Sequence, residues 1–252
     1  MEQIFGLILA MAFGAVFGSY ATLFAYRLPR GESCFGRYFG QKSRCPQCNS
    51  IIKTRDLIPL INWIMTFGRC RSCQTKIPRI HLFVEVATTI LFAVCYLKFS
   101  FTEEFILYAM ISVGLVILLA CDFTHKIFPQ PILIFILMAI IANRTMQEQS
   151  IAGIVNSGVL GIVCATIFYH IFYKRTEGLF ANQEQSFDYA KFILIASIGL
   201  NMISMLFYFF AVMALLTVLL VLKIPSRRKN ISFGYVLIIP FIIMLLQYPI
   251  SL

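Results

Sequence analysis

Eight apolar segments can be drawn along the chain, at roughly 3–25, 82–98, 104–121, 130–143, 151–173, 190–205, 206–222 and 231–250. A helix needs ~20 apolar residues to cross the hydrocarbon of a bilayer, with a tolerance of several. Each segment therefore reads as a spanning helix, with 3–25 and 151–173 the clearest. The segment at 130–143 is short, and 190–205 is parted from 206–222 only by a weak break near Asn201 and Ser204. Seven crossings are thus an alternative count, but one that moves the C-terminal basic cluster to the opposite face. Only the stretch from 26 to 80 is polar and long enough to form a soluble unit, and no internal repeat or low-complexity tract interrupts the pattern. The pattern predicts an all-α polytopic membrane protein with about eight transmembrane helices. Its parts are a first transmembrane helix at 1–25, a loop domain at 26–80 and a transmembrane core at 81–252.

Composition agrees. Hydrophobic residues make up 60% of the chain, charged residues 13%, and the mean hydropathy is +0.84, more apolar surface than a soluble domain of this length could bury. The net charge of +10 would suit a nucleic-acid partner, but the basic residues sit in short loops between apolar runs rather than along one face, which excludes that class. With the N-terminus outside, eleven Lys and Arg fall between Arg27 and Arg79, and Lys126, Lys174, Arg175, Lys191, Lys223, Arg227, Arg228 and Lys229 follow on the same side. That is nineteen of the 21, leaving only Lys98 and Arg144 outside, a bias that sets the topology. The N-terminal run lacks a basic flank and a small-residue cleavage site, so it reads as a retained span.

Eight cysteines divide by position. Cys95, Cys121 and Cys164 lie in or beside apolar runs, where a thiol packs as a small hydrophobe. Cys45, Cys48, Cys70 and Cys73 form two Cys-x-x-Cys pairs with 21 residues between them. Two such knuckles complete a closed tetrathiolate zinc site. A cytoplasmic loop disfavours the alternative of two disulfides. The expected cofactor is therefore structural Zn2+, with Cys34 a bystander, and the loop a small cytoplasmic zinc-binding domain.

Two aspartates stand at the mouths of membrane-length segments on the same predicted face. Asp122 ends ISVGLVILLACD, ahead of Pro129 and Pro131, and Asp188 precedes YAKFILIASIGL. A carboxylate at a bilayer edge is costly unless it is solvated, paired or at work. Two that converge could share one proton and activate a water. Asp188 also suits the first turn of a helix, where a carboxylate caps backbone N–H groups, and from its own segment both roles stay open. Glu85, Glu177 and Glu184 are the other acids near that face. Only three histidines occur, with no His-Glu-x-x-His, which argues against a zinc protease and leaves His125 an interfacial side chain. Lys98 is the sole outer lysine, so a Ser-Lys peptidase is disfavoured. Acids at one face rather than mid-membrane argue against a transporter.

Taken together, these residues resemble the type IV prepilin peptidases, the prepilin leader peptidase/N-methyltransferase family. GSYATLFAYRLP at 18–29 is similar to that family's first-span signature, followed by the tetracysteine loop with DLIPLINW and GRCRSC, then Glu85 entering the next span. Asp122 with Pro129 resembles the Asp-x6-Pro turn, and ISFGYVLIIP at 231–240 is similar to the Pro-Phe-Gly-Pro segment. The resemblance implies a membrane-embedded aspartyl endopeptidase with Asp122 and Asp188 as catalytic pair. Its substrates would be type IV prepilins and pseudopilins, cleaved after a glycine that ends a short basic leader. The new N-terminus would be methylated from S-adenosylmethionine, whose site carries no assignment. It further implies the bacterial inner membrane, a periplasmic N-terminus, an active site facing the cytoplasm, and other pilus-assembly proteins as partners.

The chain departs from the family in places. The Gly-x-Gly before the second aspartate is replaced by Gln185-Ser186-Phe187, Lys191 follows Asp188 by three residues rather than two, and the distance from Glu177-Gly178 looks about five residues longer. Thr22 stands for the signature asparagine, and Gln130 for the Asp or Asn after the proline. These losses support an alternative: a catalytically degenerate membrane scaffold that docks pilus-assembly proteins through its zinc loop.

Overall fold

The computed structural model describes residues 1–34, 44–147, 151–176, 183–221 and 232–247. Among these residues the ordered elements are helices and two isolated β-bridges. The α-helices are α1 (Glu2–Arg27), α2 (Ile61–Met65), α3 (Arg79–Phe99), α4 (Glu103–His125), α5 (Gln130–Met146), α6 (Ile151–Thr176), α7 (Gln183–Gly199), α8 (Met202–Val221) and α9 (Gly234–Gln247). The described residues of the apolar runs lie mainly in helices, and the protein is an all-α membrane protein. Among the described residues, five helices are long and apolar enough to cross a membrane: α1, α3, α4, α6 and α8. At 17, 17 and 14 residues, α5, α7 and α9 are shorter, so the expected eight crossings meet five of full length. The basic cluster at 223–229, Glu177 with Gly178, and Ile231 of the late motif lie outside the described residues.

The backbone forms two compact units, 1–120 and 121–252. In the first, α1 packs along α3. The buried face of α1 is Gly6, Ala10, Gly14, Gly18 and Ala21, a stripe of small residues that lets backbones approach where lipid offers no hydrophobic drive. A Cβ on Gly14 would stand 2.8 Å from the Thr88 carbonyl oxygen, and one on Gly18 2.8 Å from Glu85 Cα. Phe17 stacks on Phe92 at 5.6 Å beside this contact. The hydroxyls of Thr88 and Thr89, buried in the same interface, donate back to the carbonyls of Val84 and Glu85 at 2.9 and 2.7 Å. In α4 the run from Ile111 to Asp122 is buried without a break, as a helix that is apolar all round requires.

In the second unit, α7 packs against α5, α6 and α9, and α8 against α6 and α9. Phe192, Phe241 and Tyr208 form an edge-to-face series, with centroids 5.6 and 6.0 Å apart. The weak break in the sixth and seventh apolar runs is a helix start: Asn201 Oδ1 accepts the Ser204 N–H at 2.8 Å and so caps α8, as asparagine does before a helix. This separates α7 from α8. Pro240 lies inside α9, and the Tyr208 hydroxyl donates to the Leu237 carbonyl at 3.2 Å in the turn before it, supporting backbone that proline weakens. Arg144, read from the sequence as an outer-loop charge, is instead 2% exposed. Its Nε donates to the Ile198 carbonyl at 2.9 Å, where the C-terminal end of α7 favours a cation.

Candidate active site and metal centre

The two Cys-x-x-Cys turns fold alike because their sequences place the same groups at the same steps. Cys45 N–H donates to the Ser50 carbonyl at 3.0 Å and Cys70 N–H to the Thr75 carbonyl at 2.9 Å. The bridges Arg44–Ile51 and Arg69–Lys76 close each turn. Asn49 and Gln74, one step past the second cysteine, both take φ of 58°, the left-handed geometry that turns the chain back. The four Sγ atoms lie within 4.8 Å of one another, and none of these cysteines is in a disulfide. A tetrahedron with Zn–S bonds of about 2.3 Å has an S···S edge of about 3.8 Å, and Cys45 Sγ to Cys73 Sγ is 3.8 Å. The donor set thus fits a metal ion.

Hydroxyls stand beside the sulfurs symmetrically: Ser50 Oγ lies 3.0 Å from Cys48 Sγ and Thr75 Oγ1 3.3 Å from Cys73 Sγ. The Ser50 hydroxyl and backbone draw the Cys48 thiol down to about 6. Backbone N–H groups of Cys73 and Ser72 lower Cys70 as well. Both shifts favour the thiolates that bind metal. Arg71, inside the second knuckle, pairs with Asp56 at 2.7 Å and fastens the DLIPLINW segment to it. Glu85 accepts the Leu60 N–H at 2.8 Å, which ties the loop to α3. Cys34 is not one of the four converging thiols.

Asp122 lies in the last turn of α4, is 0% exposed, and stands where the helix dipole opposes an acid. Capping does not account for it. Three donors surround the carboxylate instead. Tyr189 Oη donates to Oδ1 at 2.7 Å, Gly234 N–H to Oδ2 at 2.7 Å, and the Ser232 hydroxyl to Oδ2. Tyr189 is held in turn, accepting from Gln185 Nε2 at 2.7 Å and from the Phe233 N–H at 3.0 Å. Gly234 must lack a side chain, because a Cβ there would lie 2.6 Å from Asp122 Oδ2.

Asp188 is more open, its side chain 14% exposed. It sits in the second turn of α7, and its donors come from outside that helix's own N–H groups. Lys191 Nζ pairs with Oδ1 at 3.0 Å, Phe128 N–H donates to Oδ2 at 3.3 Å, and Gln130 Nε2 approaches Oδ1 at 3.5 Å. The changed Lys spacing is absorbed by the helix, since residues three apart share a face. Both carboxylates are held by the same pieces of chain. Asp188 and Tyr189 are neighbours on α7, and the Phe128 whose N–H reaches Asp188 packs its ring on Tyr189 at 5.2 Å. Each acid nevertheless has its own donors.

Tyr189, Ser232 and Gly234 had no assigned role in the sequence. Ser232 and Gly234 carried a signal, the late motif ISFGYVLIIP, whereas nothing in the pattern singled out Tyr189. Gln185, noted only as a lost glycine, is 2% exposed and bonded to Tyr189, whereas Phe187, at the other lost glycine, is exposed.

Residues 12–99 match the bacterial peptidase A24 N-terminal domain. The chain is 28% identical over 178 residues to the prepilin leader peptidase/N-methyltransferase of Vibrio cholerae, covering 68% of each. It is 27% identical over 173 residues to the protein of that name from Bacillus subtilis, covering 68% of this chain and 66% of the other. It is also 28% identical over 136 residues to the type 4 prepilin-like proteins leader peptide-processing enzyme of Escherichia coli, covering 48% of this chain and 51% of the other. The matches thus span from about half to two thirds of these relatives' lengths. No solved structure matches it. Along these stretches the chain is similar to proteins named prepilin leader peptidase/N-methyltransferase.

Proposed function

We propose that this protein is an aspartyl endopeptidase that removes the leader of type IV prepilins or pseudopilins after a glycine and then methylates the new N-terminus. The observation that carries the reading is the Asp122 carboxylate. A buried acid supplied with three donors at the end of a spanning helix is costly to build, and a second, more open acid stands one residue from its tyrosine partner. In this reading the two share a proton and titrate as a pair. The ionised member takes a proton from water as the oxygen attacks the scissile carbonyl, and the protonated member gives its proton to the leaving amine. Asp122 has no exposure, so the water reaches it only as a covering group moves, whereas Asp188 is reachable. The substrate's apolar helix stays in the bilayer and presents the bond at its boundary.

Four cysteines would hold a zinc ion that fixes the loop; a closed four-sulfur set leaves no position for substrate. S-adenosylmethionine would supply the methyl group to the freed amine, and no residue is assigned to it. The charge count places the N-terminus in the periplasm and both aspartates at the cytoplasmic face of the inner membrane. On this reading the parts are a first span at 1–25, the zinc loop at 26–80 and the peptidase core at 81–252. Glu184, exposed in the first turn of α7, would receive the leader's basic residues. The expected companion acid, Glu177, lies outside the described residues.

One observation favours the scaffold reading: side chains stand at 185 and 187, where relatives of the resembled pattern carry glycine. The discriminating experiment is incubation of the purified protein with a prepilin and mass measurement of the product. Loss of the leader mass supports the peptidase, a further gain of one methyl group supports the transferase, and an unchanged mass supports the scaffold.

A further inference from the structure

The helix α2 and its flanks are built inside out for a loop in water. Ile61, Ile64 and Met65, at the i, i+3, i+4 spacing that marks one helical face, are exposed by 53, 64 and 66%. Ile58 and Leu57 before them and Phe67 after them are exposed as well, Phe67 by 87%. An apolar face of this extent marks a binding surface rather than scattered surface residues. The backbone is bent to present it. Phe67 has φ of 49° and Leu60 φ of 62°, left-handed values uncommon for bulky residues, and strained residues of this kind cluster at clamps and binding segments.

What covers the face follows from where the fold puts it. The loop is strung between α1 and α3, both long and apolar enough to cross a membrane and packed on each other. Leu60, the residue before α2, is hydrogen-bonded to Glu85, six residues inside α3. At a rise of about 1.5 Å per residue that is about 9 Å along α3 from its start, which keeps the face at the loop end of the span, where amphipathic helices lie in the headgroup–acyl boundary. Lys53, Arg69, Lys76 and Arg79 are exposed on the same loop, and cations flanking the end of a span meet anionic headgroups. We propose that α2 with Leu57, Ile58 and Phe67 is an interfacial anchor that lays the four-cysteine loop on an anionic bilayer surface, its partner being lipid rather than protein. The anchor does not depend on the peptidase chemistry.

Trp63, the only tryptophan in the chain, sits in α2 and reports on it without substitution. Full-length protein is placed in nanodiscs of phosphatidylcholine and phosphatidylglycerol, with bromine at shallow positions of the acyl chains, and Trp63 emission is compared with that in unbrominated lipid. The expected result is loss of about half the emission, less with bromine deep in the chain, together with weak quenching by aqueous acrylamide, as for a helix seated ~5–10 Å into the interface. Leaving out phosphatidylglycerol should reduce the quenching. An Ile64→Ser/Phe67→Ser variant that retains its metal content and thermal unfolding should lose it. Emission indifferent to bromine but open to acrylamide would place the face in water and overturn the anchor. Emission protected from both quenchers would show no lipid at the face and would overturn the anchor equally.

Discussion

Tyr189 donates its hydroxyl proton to Asp122 at 2.7 Å across 67 positions of sequence, and it is the residue next to Asp188. One side chain therefore sets the orientation of the first carboxylate from the helix that carries the second. Tyr189→Phe keeps the ring and removes the donor. A hydrogen bond to a charged group contributes ~1.5–3 kcal/mol, so kcat for leader removal should fall at least about tenfold with KM little changed, read in steady-state kinetics on a purified prepilin. An unchanged kcat would make the tyrosine a packing residue only.

Asp122→Asn and Asp188→Asn each keep the shape and remove the ionisable group. Both should abolish cleavage, by about a thousandfold or more given what acid–base pairs contribute, in cells lacking any other prepilin peptidase. Full processing by either variant, seen as a leaderless pilin on a gel, would remove the aspartyl mechanism.

Cys48→Ser and Cys73→Ser each take one sulfur from the cluster. The bound metal, counted by mass spectrometry of the purified protein, should fall from one zinc per chain toward none. A chelator should lower the unfolding temperature of the unsubstituted protein in the same direction. Zinc content unaffected by both substitutions would rule out the tetrathiolate site.

Gly14→Val introduces a Cβ 2.8 Å from the Thr88 carbonyl oxygen and 2.8 Å from Thr89 Cα. Backbone cannot yield as a flexible side chain would, so α1 must move away from α3. The cost should be roughly 1–3 kcal/mol, measured as a lower unfolding temperature in detergent. Val16, exposed on α1, offers a control: Val16→Ala should shift it little.

How far the sequence could be read follows from which forces are local. Helix positions follow from apolar runs, because lipid demands backbone bonds within each segment, and the described residues of the eight runs are mainly helical. Asn201 was visible as an interruption but not as a cap, since the capping bond to Ser204 depends on how the chain enters α8. The cysteine cluster was legible because ligand spacing is a local constraint. The surroundings of Asp122 were not. Ser232 and Gly234 reach it only through the packing of α4, α7 and α9, and no periodicity encodes which hydroxyl meets which acid. The burial of Arg144 was not legible for the same reason: charge counting sees a cation near a helix end, whereas the carbonyl of Ile198 that draws it inward belongs to another helix.

The distance in sequence between Asp122 and its donors has a consequence for how the protein is made. Ser232 and Gly234 follow it by 110 and 112 residues, so most of the chain is synthesised and inserted while the buried acid lacks two of its three partners. The donor set around Asp122 is completed only once α9 has docked. A ribosome product released before that point would carry the aspartate without its setting.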